Sequence, residues 1–338
     1  MELTLIEDWS AEAWDEAVAH YEAAYFCHHS AWFRFLEETQ SAIPFRFRIV
    51  DRKETAGYFA GLLVKKGPMK ILGSPLSGWL TEYMGPVADR EFDIQEFLGA
   101  MDRMCRHYGI HQIEMGSPML GQEVMENAGY TTMEWMTFRI PLSADEPSLW
   151  NGLKSKARNR IRKARAHGLV VEDCGDPAFA DEHHDMLLDV YAKQKSAPPH
   201  SREFFRSLQR NLEPQDLLYC LRVRQGERTI ASGFFPHDRR RVYSLSTASR
   251  REDQPLCPNE ILHWTVMSLA GRAGIGEYSL GDNYRVPVHG GRFKDKFNGH
   301  PMPVHRYVKS YSLLAKYGRG AYKKLVYAGR SLKDAFRQ

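Results

Sequence analysis

The stretch GIHQIEMG, residues 109–116, returns 165 residues later as GIGEYSLG, residues 274–281. The two copies align without a gap, and each follows a segment with the apolar spacing of a helix, over 94–108 and 259–273. A weak internal repeat of this length indicates a duplicated domain.

The order of elements before each copy is also the same. Two strand-like runs joined by a charged turn predict a hairpin in each half, and one further strand precedes each helix. The first half also opens with a helical stretch over 11–38. We therefore predict an α/β fold of mixed sheets covered by helices, in two tandem copies. The predicted strands are 45–50, 58–64 and 79–87 in the first half, and 217–223, 228–235 and 240–249 in the second.

The segment PLSADEPSLW, residues 141–150, is rich in proline, serine and acids and marks the predicted boundary. A chain of 338 residues is also long enough for about two domains of roughly 150 residues. The predicted division is 1–145, 146–310 and a basic tail over 311–338.

The sequence has no feature of a secreted or membrane-spanning protein. Its first ten residues, MELTLIEDWS, contain neither a basic region nor an apolar core, and no 18 apolar residues run together. Five cysteines without a C-x-x-C pair predict buried, reduced thiols. We expect a cytoplasmic protein.

The net charge of +4 conceals two basic segments on an otherwise acidic chain. Seven Lys or Arg and no acid lie between Lys154 and Arg165, and nine bases with one acid lie from Arg306 to the end. Charge segregated in this way predicts an anionic partner, such as a phosphate-bearing substrate, RNA or an anionic membrane surface.

The first basic segment is predicted to form a helix that docks by one apolar stripe. The spacing of the stripe is four, four, four and three residues, and the bases fall on the other faces. A solvated surface is the alternative. However, like charges three and four residues apart repel by a few tenths of a kcal/mol per pair, and a bound anion would relieve this. The stripe comprises Leu149, Leu153, Ala157, Ile161 and Ala164.

A second segment, GGRFKDKFNGH, begins at Gly290. Phe293 and Phe297 lie one helical turn apart and can anchor the segment, while its cations point elsewhere. This arrangement suits a lysine that is held rigidly in a cleft. The alternative is a short anchored helix with solvated lysines. The cations are Arg292, Lys294 and Lys296.

An acidic residue follows the second copy of the repeat. Asp282 lies just past the predicted strand end, with Tyr284 close behind it. Ligand groups are presented at this edge of α/β sheets, so Asp282 is a candidate acid or base, with a capping aspartate as the alternative.

Together these segments resemble the Fem family, the peptidyltransferases that extend peptidoglycan stem peptides with aminoacyl-tRNA, and their FemAB-like relatives among the GNAT acyltransferases. The resemblance spans residues 1 to about 310 and includes the tandem arrangement. The matching stretches are KSKARNRIRKARAHG, SREFFRSL, LGDNY and GRFKDKFNGHPMPVHRY.

The resemblance implies roles for particular residues. Lys294, which follows Phe293, would stabilise charge during transfer and contact the donor. Cations of the basic helix would bind the phosphates of donor or acceptor, and Asn159 would orient them. The expected phosphate-binding cations are Arg158, Arg162 and Lys163; Tyr284, Arg292, Phe293 and Lys296 are further candidates for substrate binding.

The GNAT pyrophosphate loop, Gln/Arg-x-x-Gly-x-Gly/Ala, is absent from both halves. In the first half Asp89, Glu91 and Asp93 stand where an anion would bind, whereas the second half has Arg250 and Arg251 nearby. We therefore expect catalysis in the second half and the cleft between the domains. The missing loop favours aminoacyl-tRNA or a carrier-protein thioester over acyl-coenzyme A as donor. No metal or other cofactor is expected.

The expected activity is transfer of an acyl or aminoacyl group to an amine of a cell-envelope precursor such as a peptidoglycan stem peptide. Two alternatives stay open: a coenzyme A dependent N-acetyltransferase acting on a sugar nucleotide or small amine, and a non-catalytic RNA or membrane-surface binding module. The basic tail suggests peripheral contact with anionic lipid at the inner face of the membrane, with a packed or frayed C-terminus as the alternative.

Overall fold

The computed structural model describes residues 1–88, 92–192, 196–281 and 291–316, and only the backbone of Gly291 and Arg292. The candidate residues Asp282 and Tyr284, the side chain of Arg292, and most of the basic tail lie outside this part, as do Asp89 and Glu91.

The described part contains fourteen strands and ten α-helices. The strands are β1 (Glu2–Leu5), β2 (Ile43–Asp51), β3 (Glu54–Lys66), β4 (Met69–Ser74), β5 (Gly85–Ala88), β6 (Gln112–Met115), β7 (Thr131–Pro141), β8 (Leu169–Asp173), β9 (Leu218–Gln225), β10 (Arg228–Pro236), β11 (Arg241–Tyr243), β12 (Ser246–Ser249), β13 (Glu277–Ser279) and β14 (His300–Ser310). The helices are α1 (Ala11–Ala19), α2 (Ser30–Gln40), α3 (Ile94–His107), α4 (Gln122–Asn127), α5 (Glu146–Gly152), α6 (Ser155–Ala166), α7 (Phe179–Ala192), α8 (Arg202–Leu212), α9 (Pro258–Arg272) and α10 (Gly291–Lys294).

The chain packs as two compact units, each made of separated segments. Among the described residues, the first comprises those within Met1–Ala24 and Gln40–Met133 and those from His305 onward, and the second comprises those within Tyr25–Thr39 and Glu134–Val304. The second unit thus includes α2, because Phe35 of α2 stacks edge-on against Phe204 of α8 and Glu38 accepts hydrogen bonds from Ser207, Arg210 and Asn211. The division predicted from sequence was into contiguous segments and did not place α2 there.

In the first unit, the sheet runs in the order β1-β2-β3-β4-β6-β14, and β5 pairs with β3. β4 and β6 are parallel, joined through α3, whereas the β2–β3 hairpin is antiparallel. Its core is apolar and aromatic, and includes Phe47, Phe59, Phe97 and Ile113, each 0 or 1% exposed.

The second unit divides its strands between two sheets. β12-β10-β9-β8 form an antiparallel sheet, while β11 pairs in parallel with β13, which pairs with β7. The strand predicted over 240–249 is therefore two strands: β11 pairs with β13 and β12 pairs with β10. The sheets separate between β11 and β12.

The repeat predicted from sequence is present in the structure. In both units an antiparallel hairpin precedes a strand, a long helix and a further strand parallel to the first, as β4–α3–β6 and β11–α9–β13. The starts of β6 and β13, Gln112 and Glu277, keep the 165-residue offset of the sequence copies. The predicted α/β fold with mixed sheets is confirmed.

All five cysteines are buried, and none forms a disulfide. Within the described ranges, no helix has both the length and the apolarity to cross a membrane.

Candidate active site

The basic helix docks as its spacing predicts. Ala157, Ile161 and Ala164 of α6 are fully buried in the core of the second unit, together with Leu149 and Leu153. The predicted helix is interrupted, however, because Leu153 is extended, with ψ of 144°, and separates α5 from α6.

Arg158 stabilises this interruption. Its Nη1 donates to the carbonyl oxygens of Asn151 (3.1 Å) and Leu153 (2.5 Å), which lie at the end of α5. The last carbonyls of a helix lack partners within it, so a guanidinium is a favourable cap. Arg158, predicted to bind phosphate, is thus engaged with the backbone in this structure.

An open groove of about 650 Å³ lies beside the exposed face of α6. Three cations and an amide on this helix line one wall, while Pro255 and Cys257 supply the other, at the turn that leads into α9. The backbone of Cys257 has the left-handed conformation, with φ of 64°, and Pro258 is the first residue of α9. The positive end of the α9 dipole therefore adds to the charge of the groove. Its lining residues on α6 are Ser155, Lys156, Asn159, Arg160 and Lys163.

The structure thus separates the predicted cations of α6. Lys163 and Asn159 line the groove, whereas the guanidinium of Arg162 lies over the ring of Trp150 at 5.5 Å and donates to Asn159 Oδ1 at 3.0 Å. Sequence reasoning missed Lys156 and Arg160. Arg160 follows Lys156 by four residues and precedes Lys163 by three, and these spacings place all three on one helical face.

The basic helix α6 and the segment GGRFKDKFNGH meet at Glu260. This carboxylate, with a side chain only 6% exposed, accepts from Lys296 at 2.9 Å and lies 3.6 Å from Arg160 of α6. The backbone N–H of Lys154 also donates to the carbonyl of Lys296 at 3.2 Å. Lys296, predicted to bind substrate, is thus paired with a buried protein carboxylate, which lowers its availability to a ligand.

Phe293 and Phe297 anchor the second segment, as predicted. Their rings are 5.3 Å apart and both pack against His263, at 5.2 and 5.5 Å. Burial, with a smaller contribution from the positive charge of Lys294, lowers the pKa of His263 to about 3. His263 is therefore neutral near pH 7 and adds no charge to this site.

Lys294 extends from this anchor to the end of β13. Its Nζ donates to the carbonyl of Gly281 at 2.6 Å and lies 5.7 Å from the ring centroid of Phe138. Lys294 does not line the groove beside α6. The described residues thus give a candidate site with two parts, a cationic groove and a lysine at the strand end, whose segments are linked through Lys296 and Glu260.

The N-terminal end of α3, the counterpart in the first unit of the N-terminal end of α9, is capped by a side chain of the protein. The carboxylate of Asp93 caps α3 by accepting from the backbone N–H groups of Gln95 (2.9 Å) and Glu96 (3.0 Å). These amides are therefore not available to a phosphate, and the negative charge would repel one.

Residues 152–294 match the family model of the acetyltransferase (GNAT) domain. This segment is a GNAT acyltransferase domain. It begins just before α6 and ends at Lys294, so both parts of the site belong to the GNAT domain.

Three solved structures share the fold of most of the chain. FemX superposes with a TM-score of 0.73 at 12% identity, over 92% of this chain and 97% of that one. A tandem GNAT protein from the clavulanic acid biosynthesis pathway gives 0.52 at 10% identity, over 81% and 85%. L-PGS from Bacillus licheniformis gives 0.51 at 12% identity, over 83% and 92%. These likenesses confirm a FemAB-like, tandem GNAT fold. No curated protein sequence matches the chain.

Proposed function

We propose that this protein transfers an acyl or aminoacyl group from an activated, phosphate-bearing carrier to an amine of a cell-envelope precursor such as a peptidoglycan stem peptide. The proposed carrier is aminoacyl-tRNA or the thioester of a carrier protein. Acyl-coenzyme A is the alternative donor.

The groove beside α6 is the observation that carries this proposal. Lys156, Arg160 and Lys163 line it; Arg160 lies 3.6 Å from Glu260, but no acidic residue is among the lining side chains, so the charges of the two lysines face the groove without one. Three cations this close repel one another, and phosphate oxygens would relieve the repulsion while accepting charge-assisted hydrogen bonds. The N-terminal end of α9 favours the same ligand. A carrier held here would have its phosphates fixed within the GNAT domain.

The second part of the site suits the transfer step. Attack of an amine on an ester or thioester places negative charge on the carbonyl oxygen, and a fixed cation near that oxygen lowers the barrier. Lys294 is held by the anchored segment at the end of β13 and is the proposed cation. Asp282, which follows that strand, is the proposed base for the amine proton; it lies outside the described residues.

The choice of acceptor rests on likeness of fold and sequence. The basic helix and the segment GGRFKDKFNGH resemble the Fem family. FemX shares the fold over 97% of its own chain. A peptidoglycan precursor is the acceptor that this likeness favours.

A thermal-shift screen of the full chain tests the proposal. The ligands are aminoacyl-tRNA, acylated carrier protein, coenzyme A and a UDP-linked muropeptide. A ligand at 100 times its Kd stabilises the folded state by about 2.7 kcal/mol, which gives a clear shift. We expect stabilisation by charged tRNA or acylated carrier protein. Stabilisation by coenzyme A alone would instead establish the coenzyme A dependent N-acetyltransferase.

Two variants of α6 separate a specific groove from general attraction to polyanions. Lys163→Gln removes a charge that lines the groove, and Arg165→Gln removes one from the same helix that lies over Trp150 instead. Loss of a charged hydrogen bond of roughly 1.5–3 kcal/mol predicts a Kd roughly ten- to a hundredfold weaker for Lys163→Gln only. Equal, small losses in both variants would favour the non-catalytic binding module and contradict the proposal.

A further inference from the structure

The carbonyl group that holds Lys294 at the end of β13 is itself fixed by two buried hydroxyls. Thr137 Oγ1 donates to the carbonyl oxygen of Gly281 at 3.3 Å, and the N–H of Gly281 donates to Ser279 Oγ at 3.3 Å. The two hydroxyl oxygens lie 3.1 Å apart. When Ser279 O–H donates to Thr137, the contacts close a hydrogen-bonded ring in which each hydroxyl donates once and accepts once.

This hydrogen-bonded ring lies where β7 and β13 end their pairing. The N–H of Leu280 donates to the carbonyl of Phe138 at 2.9 Å, which places Thr137 opposite Gly281. Thr137 is 0% exposed and Ser279 is 1% exposed. A buried hydroxyl that loses its partner is costly, so the ring resists opening. The position of the Gly281 oxygen is therefore set by the protein rather than by solvent.

The segment that carries Lys294 is tied to the same strand from the other face. His263 of α9 packs against the rings of Phe293 and Phe297, and its Nδ1 lies 2.5 Å from Tyr278 Oη. Tyr278 belongs to the core cluster of the second unit, on the opposite side of β13 from the hydroxyls, since successive side chains of a strand alternate. The backbone beside Lys294 and the end of β13 are thus joined at a second point.

Lys294 is consequently restrained at both ends. Its Nζ donates to the Gly281 oxygen at 2.6 Å, a short contact typical of a charge-assisted hydrogen bond. A carbonyl oxygen has two lone pairs and can accept from Thr137 and Lys294 together. A shift of this oxygen would therefore move the ammonium group with it.

We propose that Thr137 is a positioning residue, which fixes the ammonium of Lys294 for the transfer step through the carbonyl of Gly281. Ser279 completes the hydrogen-bonded ring and supports the same carbonyl. Position matters here because a displacement of about 1 Å in a catalytic site can lower a rate about 10²-fold. The consequence for the reaction rests on the proposed function, whereas the restraint on Lys294 does not.

Thr137→Val and Thr137→Ser form a matched pair of variants. Valine keeps the shape of threonine without the hydroxyl, whereas serine keeps the hydroxyl and loses one methyl group. Loss of one neutral hydrogen bond predicts a kcat for acyl transfer roughly three- to tenfold lower in Thr137→Val. The KM for the carrier should stay within about twofold, because Thr137 does not line the groove. Thr137→Ser should restore most of the wild-type kcat.

A double variant separates positioning from general damage to the fold. If Thr137 acts through Lys294, then Thr137→Val combined with Lys294→Ala should have the same kcat as Lys294→Ala alone, because the group to be positioned is gone. A threonine with a purely structural role would lower kcat by the same factor in both backgrounds. That outcome would overturn the inference.

The reactivity of the lysine tests the restraint without any carrier. Brief treatment with acetic anhydride acetylates unprotonated amines, and mass spectrometry locates the product of Lys294 on the tryptic peptide 293–296. We expect Lys294 to react several-fold faster in Thr137→Val than in the wild type or Thr137→Ser, because its charged, hydrogen-bonded form is held less firmly. Lys163, exposed on α6, is the internal control and should react equally in all three chains.

Thr137 is fully buried, so the melting temperature of each variant is measured beside its reactivity. Ser279→Ala removes the other hydroxyl of the hydrogen-bonded ring and is the second variant; it should also raise the reactivity of Lys294. Unchanged reactivity in whichever of the two variants folds would overturn the inference.

Failure of the proposed function gives a different result. Faster labelling of Lys294 in Thr137→Val, with no transfer from any carrier, would refute the proposed function and leave the restraint in place. Transfer by the wild-type chain, with kcat and labelling both unchanged in Thr137→Val, would refute the positioning role alone.

Discussion

At the scale of single residues, Glu260 links the basic helix α6 to the segment GGRFKDKFNGH. Its carboxylate is buried between Lys296 and Arg160, and it accepts from the former at 2.9 Å. Removing one member of a buried ion pair leaves an uncompensated charge in a poorly solvated position. The pair thus holds the lysine segment against α6 and sets the distance between the two parts of the site.

Replacing Glu260 by alanine should therefore lower the free energy of unfolding by about 3 kcal/mol. Glu146→Ala is the matched control, because Glu146 pairs with Arg272 at 3.6 Å with both side chains about half exposed. Exposed pairs contribute roughly 0–1 kcal/mol. Urea denaturation of both variants measures the difference. Equal losses would show that Glu260 does not hold the segments together.

At the scale of elements, α6 illustrates what a sequence pattern can and cannot predict. Its apolar stripe follows from helical periodicity, and Ala157, Ile161 and Ala164 are buried as predicted. The role of each cation does not follow from periodicity, because it depends on neighbours from elsewhere in the chain. Arg158 caps α5, Arg162 lies over Trp150, and Arg160 approaches Glu260 of α9.

The strand over 240–249 shows the same limit. Its apolar and β-branched composition predicts a strand, but not that residues before Ser244 pair with β13 and those after Leu245 pair with β10. The partner strands lie elsewhere in the chain: β10 pairs with residues 12 to 18 positions after it, and β13 pairs with residues 36 positions before it. Local sequence does not encode this choice.

At the scale of the whole molecule, the internal repeat was the most informative sequence feature. Two strands and a helix recur at a fixed offset, and this was enough to predict the α/β class and the two copies. The repeat did not predict that α2 packs in the second unit, because that contact depends on aromatic residues such as Phe35 and Phe204 from distant segments. Asp282 and Tyr284 stay predictions.

Buried histidines make the stability of the second unit sensitive to acid. Burial lowers the pKa of His200 and His237 to about 4, and that of His183 and His263 to about 3. Each binds a proton more tightly in the unfolded chain, where its pKa is near 6.5. Their contribution is therefore complete above pH 6.5 and is lost as pH falls toward 4, by about 1.4 kcal/mol per pH unit for each histidine.

Urea unfolding at pH 7.5 and 5.5 should show a lower free energy of unfolding at the lower pH. Burial also raises the pKa of the Asp238 and Asp173 carboxyls, which act in the opposite direction, but these are two groups against four histidines. His237→Phe keeps a ring against Tyr219, which stacks on His237 at 4.1 Å, and should reduce the pH effect. Unchanged or higher stability at pH 5.5 would contradict this prediction.

Lys294→Ala gives the most direct test of the claim that this protein is a transferase with its donor in the groove. The carrier that stabilises the chain in the thermal-shift screen is used to measure two quantities. These are the Kd of the carrier and the rate at which its acyl group is transferred to the amine acceptor. Since Lys294 does not line the groove, we predict a Kd within about twofold of the wild type and a turnover reduced by roughly 10²–10³-fold, the usual loss for a group that stabilises an oxyanion. A variant that transfers at the wild-type rate, or a wild-type chain that binds the carrier without transfer, would contradict the account.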